Sequence, residues 1–477
     1  MYDDEAEALA EQFGDRAMAR EVIAEDHADA LRSGRPPIVR FFVPEQYSWW
    51  TIRNHGADGK LGEFVTEAMR KVAELNPDLQ GVLDVKDFNE RQAGERALDD
   101  ERLASLIEVI SRHRLGLKNT EPDVLGRAYE YLLRKFAEGQ GQSAGEFYTP
   151  KEVGWLMSDL LNPRPLTTIH DPTCGSGGLL LKPRLRFLQR HPELKGQAPR
   201  LYGQELNPTT FAMAKMNMFL HDFTDAVIAI GDTLRTPRFM ADGAGLQRFD
   251  YVIANPMWNQ KNYGIEFYDG DKLDRFKAGQ PPANTGDWGW VQHMLAALNE
   301  RGRAAIVLDT GAVSRGSGSK NSDKEQAIRA ALVERDVIEG VVLLPENLFY
   351  NTSAPGIVLL LNRAKPPERK GQFILINLSA YFRKEKPKNV LTDEGITAAA
   401  SAYHDWATRP KLSKVVTLEE VRKADYNLSP SQFVEVGDRA THRDLADIVA
   451  DLRAARAERE RADAALAEVL ARLGLDG

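Results

Sequence analysis

At 477 residues the chain is longer than one simple core can organise, which predicts two or three domains with ample apolar residues to fill them. Hydrophobic content of 43% and charged content of 28% are those of an ordinary globular protein; no apolar run has the length of a membrane span, and the acidic start, Asp3, Asp4, Glu5 and Glu7, is the opposite of a signal peptide, so the expectation is a cytoplasmic chain with no membrane contact. A net charge of −8 sits badly with a chain that grips a polyanion unaided, and the single cysteine, Cys174, excludes an intramolecular disulfide and a cysteine metal cluster.

Residues 1 to about 140 read as a mainly helical domain. Leu103, Leu106, Ile107 and Ile110 recur at helical spacing, as do Val124, Leu125, Tyr129, Leu132, Leu133 and Phe136, and both stripes are expected core faces. The run Gly139 to Gly145 is a flexible break that marks the first boundary, giving domains 1–140, 141–436 and a tail 437–477.

Beyond the break, strand and helix patterns alternate, the signature of an α/β fold with a doubly wound parallel sheet. Expected strands are Thr167 to His170, Leu201 to Gln204, Val227 to Ile230, Tyr251 to Ala254, Ala304 to Leu308, Val341 to Leu344 and Ile357 to Leu361. Asn207 caps a helix with Pro208 at its first position, whereas Pro183 predicts a kink or a short first segment in the helix before it. Two basic clusters, Arg363, Lys365, Arg369 and Lys370, then Arg383, Lys384, Lys386 and Lys388, are either local nucleic-acid contacts or solvated loop faces. From His442 to Leu473 a thin heptad seam, interrupted by Arg459, predicts one charged helix that packs on its own domain or meets a partner helix.

The first strand runs into Asp171-Pro172-Thr173-Cys174-Gly175-Ser176-Gly177-Gly178. Glycines let backbone approach a ligand, and the helix start presents free N–H groups. The full dinucleotide fingerprint is missing, and the next strand-end acid, Glu205, lies 34 residues after Asp171 where that fingerprint expects roughly 20. Asp171, Glu205 and Asp232 stand at three successive strand ends. A carboxylate accepts from a ribose diol, and a second takes an adenine amine or faces a cationic group, which together describe S-adenosyl-L-methionine. The plain alternative is that each acid caps the turn that follows it.

The strand Tyr251 to Ala254 ends in Asn255-Pro256-Met257-Trp258. At the carboxyl edge of such a sheet, where ligands bind, an amide oxygen and a proline carbonyl can each accept one N–H from the exocyclic amine of adenine. That opposes delocalisation of the N6 lone pair into the ring and aims it at a methyl group, with Trp258 stacking on a base taken out of the duplex. No metal is needed for this chemistry, and no metal site is expected. The bland reading is a turn that stops a strand, with Trp258 a packing aromatic.

With these motifs in order, the chain resembles the modification (methyltransferase) subunit of type I restriction-modification systems. The likeness runs from about Phe41 to about Val436 and is most specific in Gly145-Glu146-Phe147-Tyr148-Thr149-Pro150, Asp171 to Gly178, Gly203 to Pro208 and Asn255 to Trp258, with further matches at Asp123 to Leu132, Trp290 to Met294 and Leu344 to Arg363. The resemblance implies N6-adenine methylation of double-stranded DNA by two such subunits with one specificity subunit that chooses the site, joined in the restriction enzyme by a motor-nuclease subunit. It also implies that Glu146, Phe147, Tyr148, Thr149, Pro150 and Lys151, with Ser176, Gly177 and Gly178, border the methionine part of the cofactor, that Glu205 takes the ribose and that Asp232 lies near the adenine. Members often have Asn-Pro-Pro-Phe where this chain has Met257 and Trp258, and they usually carry more helical sequence ahead of Met1, so a late start is expected. Two other readings stay open on the residues alone: methylation of a protein glutamine amide, which poses the same chemical problem, and a cofactor-binding scaffold without catalysis.

Overall fold

In the computed structural model of the chain, residues 2–56, 59–92, 95–96, 98–112, 131–132, 135, 149–243, 245–261, 268, 270–319, 323–350, 352–436 and 452–464 are described. The expected break at Gly139 to Gly145 and most of the second helical stripe lie outside them; Leu132 of that stripe is described and exposed.

The amino-terminal part is helical: α1 (Tyr2–Phe13), α2 (Arg16–Ser33), α3 (Trp49–Asn54), α4 (Leu61–Leu75) and α5 (Asp100–Ser111). Asp15 starts α2 by accepting from the Ala17 and Met18 amides, and Gly34 ends it at φ 68°. Leu103 and Ile107 of α5 pack with Leu61 and Val65 of α4 in a small core. Leu106 and Ile110, expected in the same core, are exposed instead, because α4 covers only the Leu103–Ile107 edge of the helix.

The larger part is built on a nine-stranded sheet. In chain order its strands and flanking helices are α6 (Lys151–Leu161), β1 (Thr168–Asp171), α7 (Gly178–Arg190), β2 (Arg200–Glu205), α8 (Pro208–Leu220), β3 (Val227–Ile230), β4 (Phe249–Ala254), α9 (Asp287–Ala296), β5 (Leu298–Asp309), α10 (Lys324–Glu334), β6 (Ile338–Leu343), β7 (Gly356–Asn362), β8 (Gln372–Asn377), α11 (Asp393–His404) and β9 (Ser413–Thr417). The order across the sheet is β9-β8-β6-β7-β5-β4-β1-β2-β3. It reverses at β1 and β4, which pair in parallel through Ile169 with Tyr251 and His170 with Val252. Such a switch point opens a crevice at the strands' carboxyl ends.

Both faces are covered, as buried strands require. Tyr251 and Ile253 join one core with Leu156, Leu181 and Val307, while Val252 and Ala254 join the other with Trp288, Ile306 and Leu332.

The expected strands all form, but the sheet is mixed and not wholly parallel: β7 runs antiparallel to both β5 and β6, and β9 antiparallel to β8. Strands β8 and β9 were not among those expected. Pro183 lies inside α7, which is one helix from Gly178 to Arg190 and not a short first segment; a proline this near the start forfeits few intrahelical bonds. Asn207 caps α8 as expected, accepting from the Thr209 and Thr210 amides. The described part of the tail, 452–464, is helical, and Leu452 of its seam is exposed.

The first basic cluster is divided: Lys365 and Arg369 are drawn into the fold, whereas Arg363 and Lys370 are exposed. Lys365 is buried against Asp336 at 2.6 Å, Arg369 lies over Trp406, and Arg363 donates to the Leu295 and Leu298 carbonyls. In the second, Lys388 donates to Asn347 and Thr352, while Lys384 and Lys386 are exposed. No helix among the described residues is long and apolar enough to cross a membrane.

Candidate active site

A cavity of about 640 Å³ opens at the switch point, between the carboxyl ends of β2, β3 and β4. Glu205, Asp232, Asn255, Pro256, Met257 and Trp258 line it together. Four polypeptide segments that are far apart in sequence are thus brought to one crevice by the parallel register of β1, β2, β3 and β4.

Each acid proves to hold the turn beyond its strand, as the plain alternative had it. Glu205 accepts from the Gly175 amide at 3.0 Å and the Asn207 amide at 2.8 Å, so it ties the glycine turn to the start of α8. Asp232 Oδ1 accepts from the Leu234 and Arg235 amides, both at 3.0 Å. Its Oδ2 faces Arg235 Nε at 3.7 Å. Each carboxylate oxygen offers two acceptor sites, so a carboxylate can hold a turn and also accept from a ligand.

Asp171 differs. It is 1% exposed, accepts from the Thr173 amide and hydroxyl, and is absent from the cavity lining, which its neighbours Pro172 and Thr173 join instead. Burial pushes its carboxyl up to about 8, with the nearby Glu205 charge adding to the rise.

The glycine turn stands behind the acids, not in the cavity wall. Gly175, Ser176, Gly177 and Gly178 do not line the cavity. Gly177 has φ 78°, and a side chain there would meet Met218 Cε at 2.8 Å, so this glycine serves the close packing of α7 on α8. Pro150 and Lys151 start α6, Lys151 with its side chain exposed, and neither lines the cavity. Glu146, Phe147 and Tyr148 lie outside the described residues.

Asn255 is held at both ends of its amide. Its Nδ2 donates to Thr149 Oγ1 at 3.1 Å, and its Oδ1 accepts the Trp258 indole N–H at 2.9 Å. An indole nitrogen only donates, so this second bond fixes the amide's orientation, with one acceptor site of Oδ1 still available. Among the described residues no amide donates to the Pro256 carbonyl. Trp258 meets Phe349 edge to face at 4.7 Å, and Gly356 makes room for it: a Cβ there would lie 2.8 Å from Trp258 Cη2.

The loop beyond is fastened to α9 and to one cation. The Asn259 amide donates to Asp287 at 2.9 Å, and Gln260 Oε1 accepts the Trp290 indole N–H at 3.0 Å. Arg315 donates to Asn259, Asp309, Asp287 and Glu325, so one guanidinium serves three carboxylates. Burial raises the Glu325 carboxyl against the pull of Arg315. Sequence reasoning missed Gln260, Arg315, Phe349 and the cavity role of Trp290, although Trp290 belongs to one of the segments that carried the resemblance.

Among the described residues no group of three or more His, Cys, Asp or Glu side chains is placed to hold a metal ion.

Residues 120–442 match the N-6 DNA methylase family, and residues 1–110 match the HsdM N-terminal domain. The chain is 37% identical over 419 residues to the Type I restriction enzyme MjaVIII methylase subunit of Methanocaldococcus jannaschii, covering 85% of this chain and 68% of that protein. It is 30% identical over 407 residues to the HindI methylase subunit of Haemophilus influenzae, covering 80% and 86%. The crystal structure of the type I restriction-modification methyltransferase subunit from Streptococcus thermophilus superposes with a TM-score of 0.75 at 26% identity, over 91% of this chain and 92% of that one. The crevice, its Asn-Pro edge and these likenesses agree, and the chain belongs to the N-6 DNA methylase family, among the adenine-specific methyltransferase subunits of type I restriction-modification systems.

Proposed function

We propose that this cavity transfers a methyl group from S-adenosyl-L-methionine to N6 of an adenine flipped out of double-stranded DNA. The observation that carries the reading is the meeting of Asn255 and Pro256 with Glu205 and Asp232 on one cavity. The lining fits the cofactor: its charged side chains are Glu205, Asp232 and Arg235, an excess of one negative charge, which favours a phosphate-free cationic ligand over a dinucleotide. When bound, S-adenosyl-L-methionine supplies a methyl group made electrophilic by sulfonium charge.

The chain's own residues do the rest. Glu205, held by Gly175 and Asn207, accepts from a ribose diol, and Asp232 accepts from the adenine ring's amine through Oδ2, the oxygen that faces Arg235. Thr149 and Trp258 orient Asn255, so that its Oδ1 and the Pro256 carbonyl each accept one N–H of the target amine. These acceptors localise the N6 lone pair and stabilise the positive charge that grows on nitrogen. Trp258 takes a base-stacking role from the same wall.

The relatives are named as subunits of type I restriction enzymes, and we infer from this an assembly of two such chains with one specificity subunit, joined by a motor-nuclease subunit in the restriction enzyme. In this reading residues 1–140 and 437–477 face partners and 141–436 carry the chemistry. The test is labelled methyl transfer to DNA by the purified chain alone and with its specificity subunit. Label on adenine N6, dependent on the partner, is expected; cofactor binding without transfer in the assembly would sink the reading.

A further inference from the structure

The cavity wall carries a second side-chain amide that the reading above leaves unused. Gln260 lies two residues beyond Trp258 and lines the cavity beside Trp290, which is 7% exposed. Because the Trp290 indole can only donate, its 3.0 Å bond identifies the amide oxygen of Gln260 and leaves the NH2 end elsewhere. Among the described residues that NH2 group has no protein partner. The placement is built into the fold. Asp287 and Trp290, one turn apart on α9, hold the Asn259 amide and the Gln260 side chain, so consecutive loop residues are fastened to the same helix.

We propose that Gln260 is an adenine-reading residue, whose amide N–H donates to an acceptor ring nitrogen of an adenine seated in the cavity. This rests on the methyl-transfer reading. The groups given to adenine so far, Asp232, the Asn255 oxygen and the Pro256 carbonyl, all accept, and they can match only the exocyclic amine. The ring nitrogens of adenine are acceptors, and burying one without a donor carries a desolvation cost. Gln260 supplies that donor from a position set by Trp290. Two adenines enter this cavity in the proposed reaction, the cofactor's and the target's. They present the same chemistry, and the experiment separates them.

Gln260→Glu is the informative variant, since it keeps an oxygen for the Trp290 N–H and removes the donors, adding one negative charge. Gln260→Met keeps the length and removes both, without adding charge. Affinity for S-adenosyl-L-methionine is measured by calorimetry on the full chain. The kcat/KM for transfer to duplex DNA is measured in the assembly, with adenine or its 1-deaza or 7-deaza analogue at the target. A roughly tenfold loss of cofactor affinity in both variants assigns Gln260 to the cofactor's adenine. Unchanged cofactor affinity with a roughly tenfold loss of kcat/KM, a loss that vanishes on one deaza analogue, assigns it to the target. Variants that match the wild type in both arms overturn the proposal. If the wild-type assembly binds cofactor but transfers no methyl group, the methyl-transfer reading falls, and cofactor affinity alone decides the role of Gln260.

Discussion

The two walls of the cavity are held in different ways. On one wall Glu205 and Asp232 are tied by backbone amides of the turns they close. On the other, Asn255 and Gln260 are tied by indole N–H groups from Trp258 and Trp290. Backbone donors persist whatever side chains surround them, whereas an indole donor exists only while tryptophan does. A carboxylate has the same chemistry at both oxygens, so placing it is enough. An amide accepts at one end and donates at the other, so the fold must also choose which end faces the ligand. In the proposed reaction the acid wall, which would hold the cofactor, needs position and charge, and the amide wall, which would meet the target amine, needs orientation.

Removing the reacting amide breaks the comparison most directly. Asn255→Ala is expected to lower single-turnover methyl transfer by about a thousandfold or more while leaving cofactor affinity within about twofold. A parallel collapse of cofactor binding would make Asn255 part of the holding wall.

Asp171 is the acid that has a backbone donor but does not line the cavity, and so isolates the cost of burying a carboxyl on that side. Its folded value of about 8 lies above the ordinary value of 3.8 expected in the unfolded chain. Its contribution to stability is therefore fully present below about pH 4 and is lost as pH rises through about 8. Relative to Asp171→Asn, the wild type should lose on the order of a few kcal/mol across that window, read by denaturant unfolding at several pH values. Parallel pH profiles for the two proteins would refute the burial effect.

Glu205→Ala should weaken cofactor binding by about ten- to a hundredfold in calorimetry, because the side chain is expected to grip the ribose and also joins two turns. Unaltered affinity would move the ligand off the acid wall. Trp258→Phe keeps an aromatic against Phe349 and deletes the N–H that orients Asn255, together with the part of the indole that packs at Gly356. Its expected effect is a roughly tenfold fall in kcat with KM for cofactor unchanged. A wild-type kcat would mean that Thr149 alone orients the amide.

Much of the site could be read from the chain because it is local. The run from Tyr251 to Ala254 is apolar on both faces and stops at Asn255, and Asn207-Pro208 spells a helix start in adjacent residues. What escaped depends on distance in sequence. Nothing in Gln260 announces Trp290, 30 residues later, and nothing in Lys365 announces the buried partner Asp336, 29 residues earlier. The direction of β7 escaped for a related reason: an apolar strand buried on both faces has no alternation to reveal which neighbours it joins or which way it runs. Leu106 and Ile110 show the converse error, for helical spacing marks a possible core face but not the width of the partner that covers it.

The Arg315 node changes what kind of unit the Asn255-to-Trp258 tetrapeptide is. Asn259, immediately beyond it, takes φ 51° and is held by Asp287 from α9 and by a guanidinium shared with Asp309 and Glu325. Asp287 and Glu325 are nearly inaccessible, so releasing the cation strands two buried anions as well as the loop. The four residues from Asn255 to Trp258 are therefore not a portable cassette. Their shape is specified by side chains up to about 70 positions downstream, and grafting the tetrapeptide without that distant scaffold would transplant the letters but not the grammar.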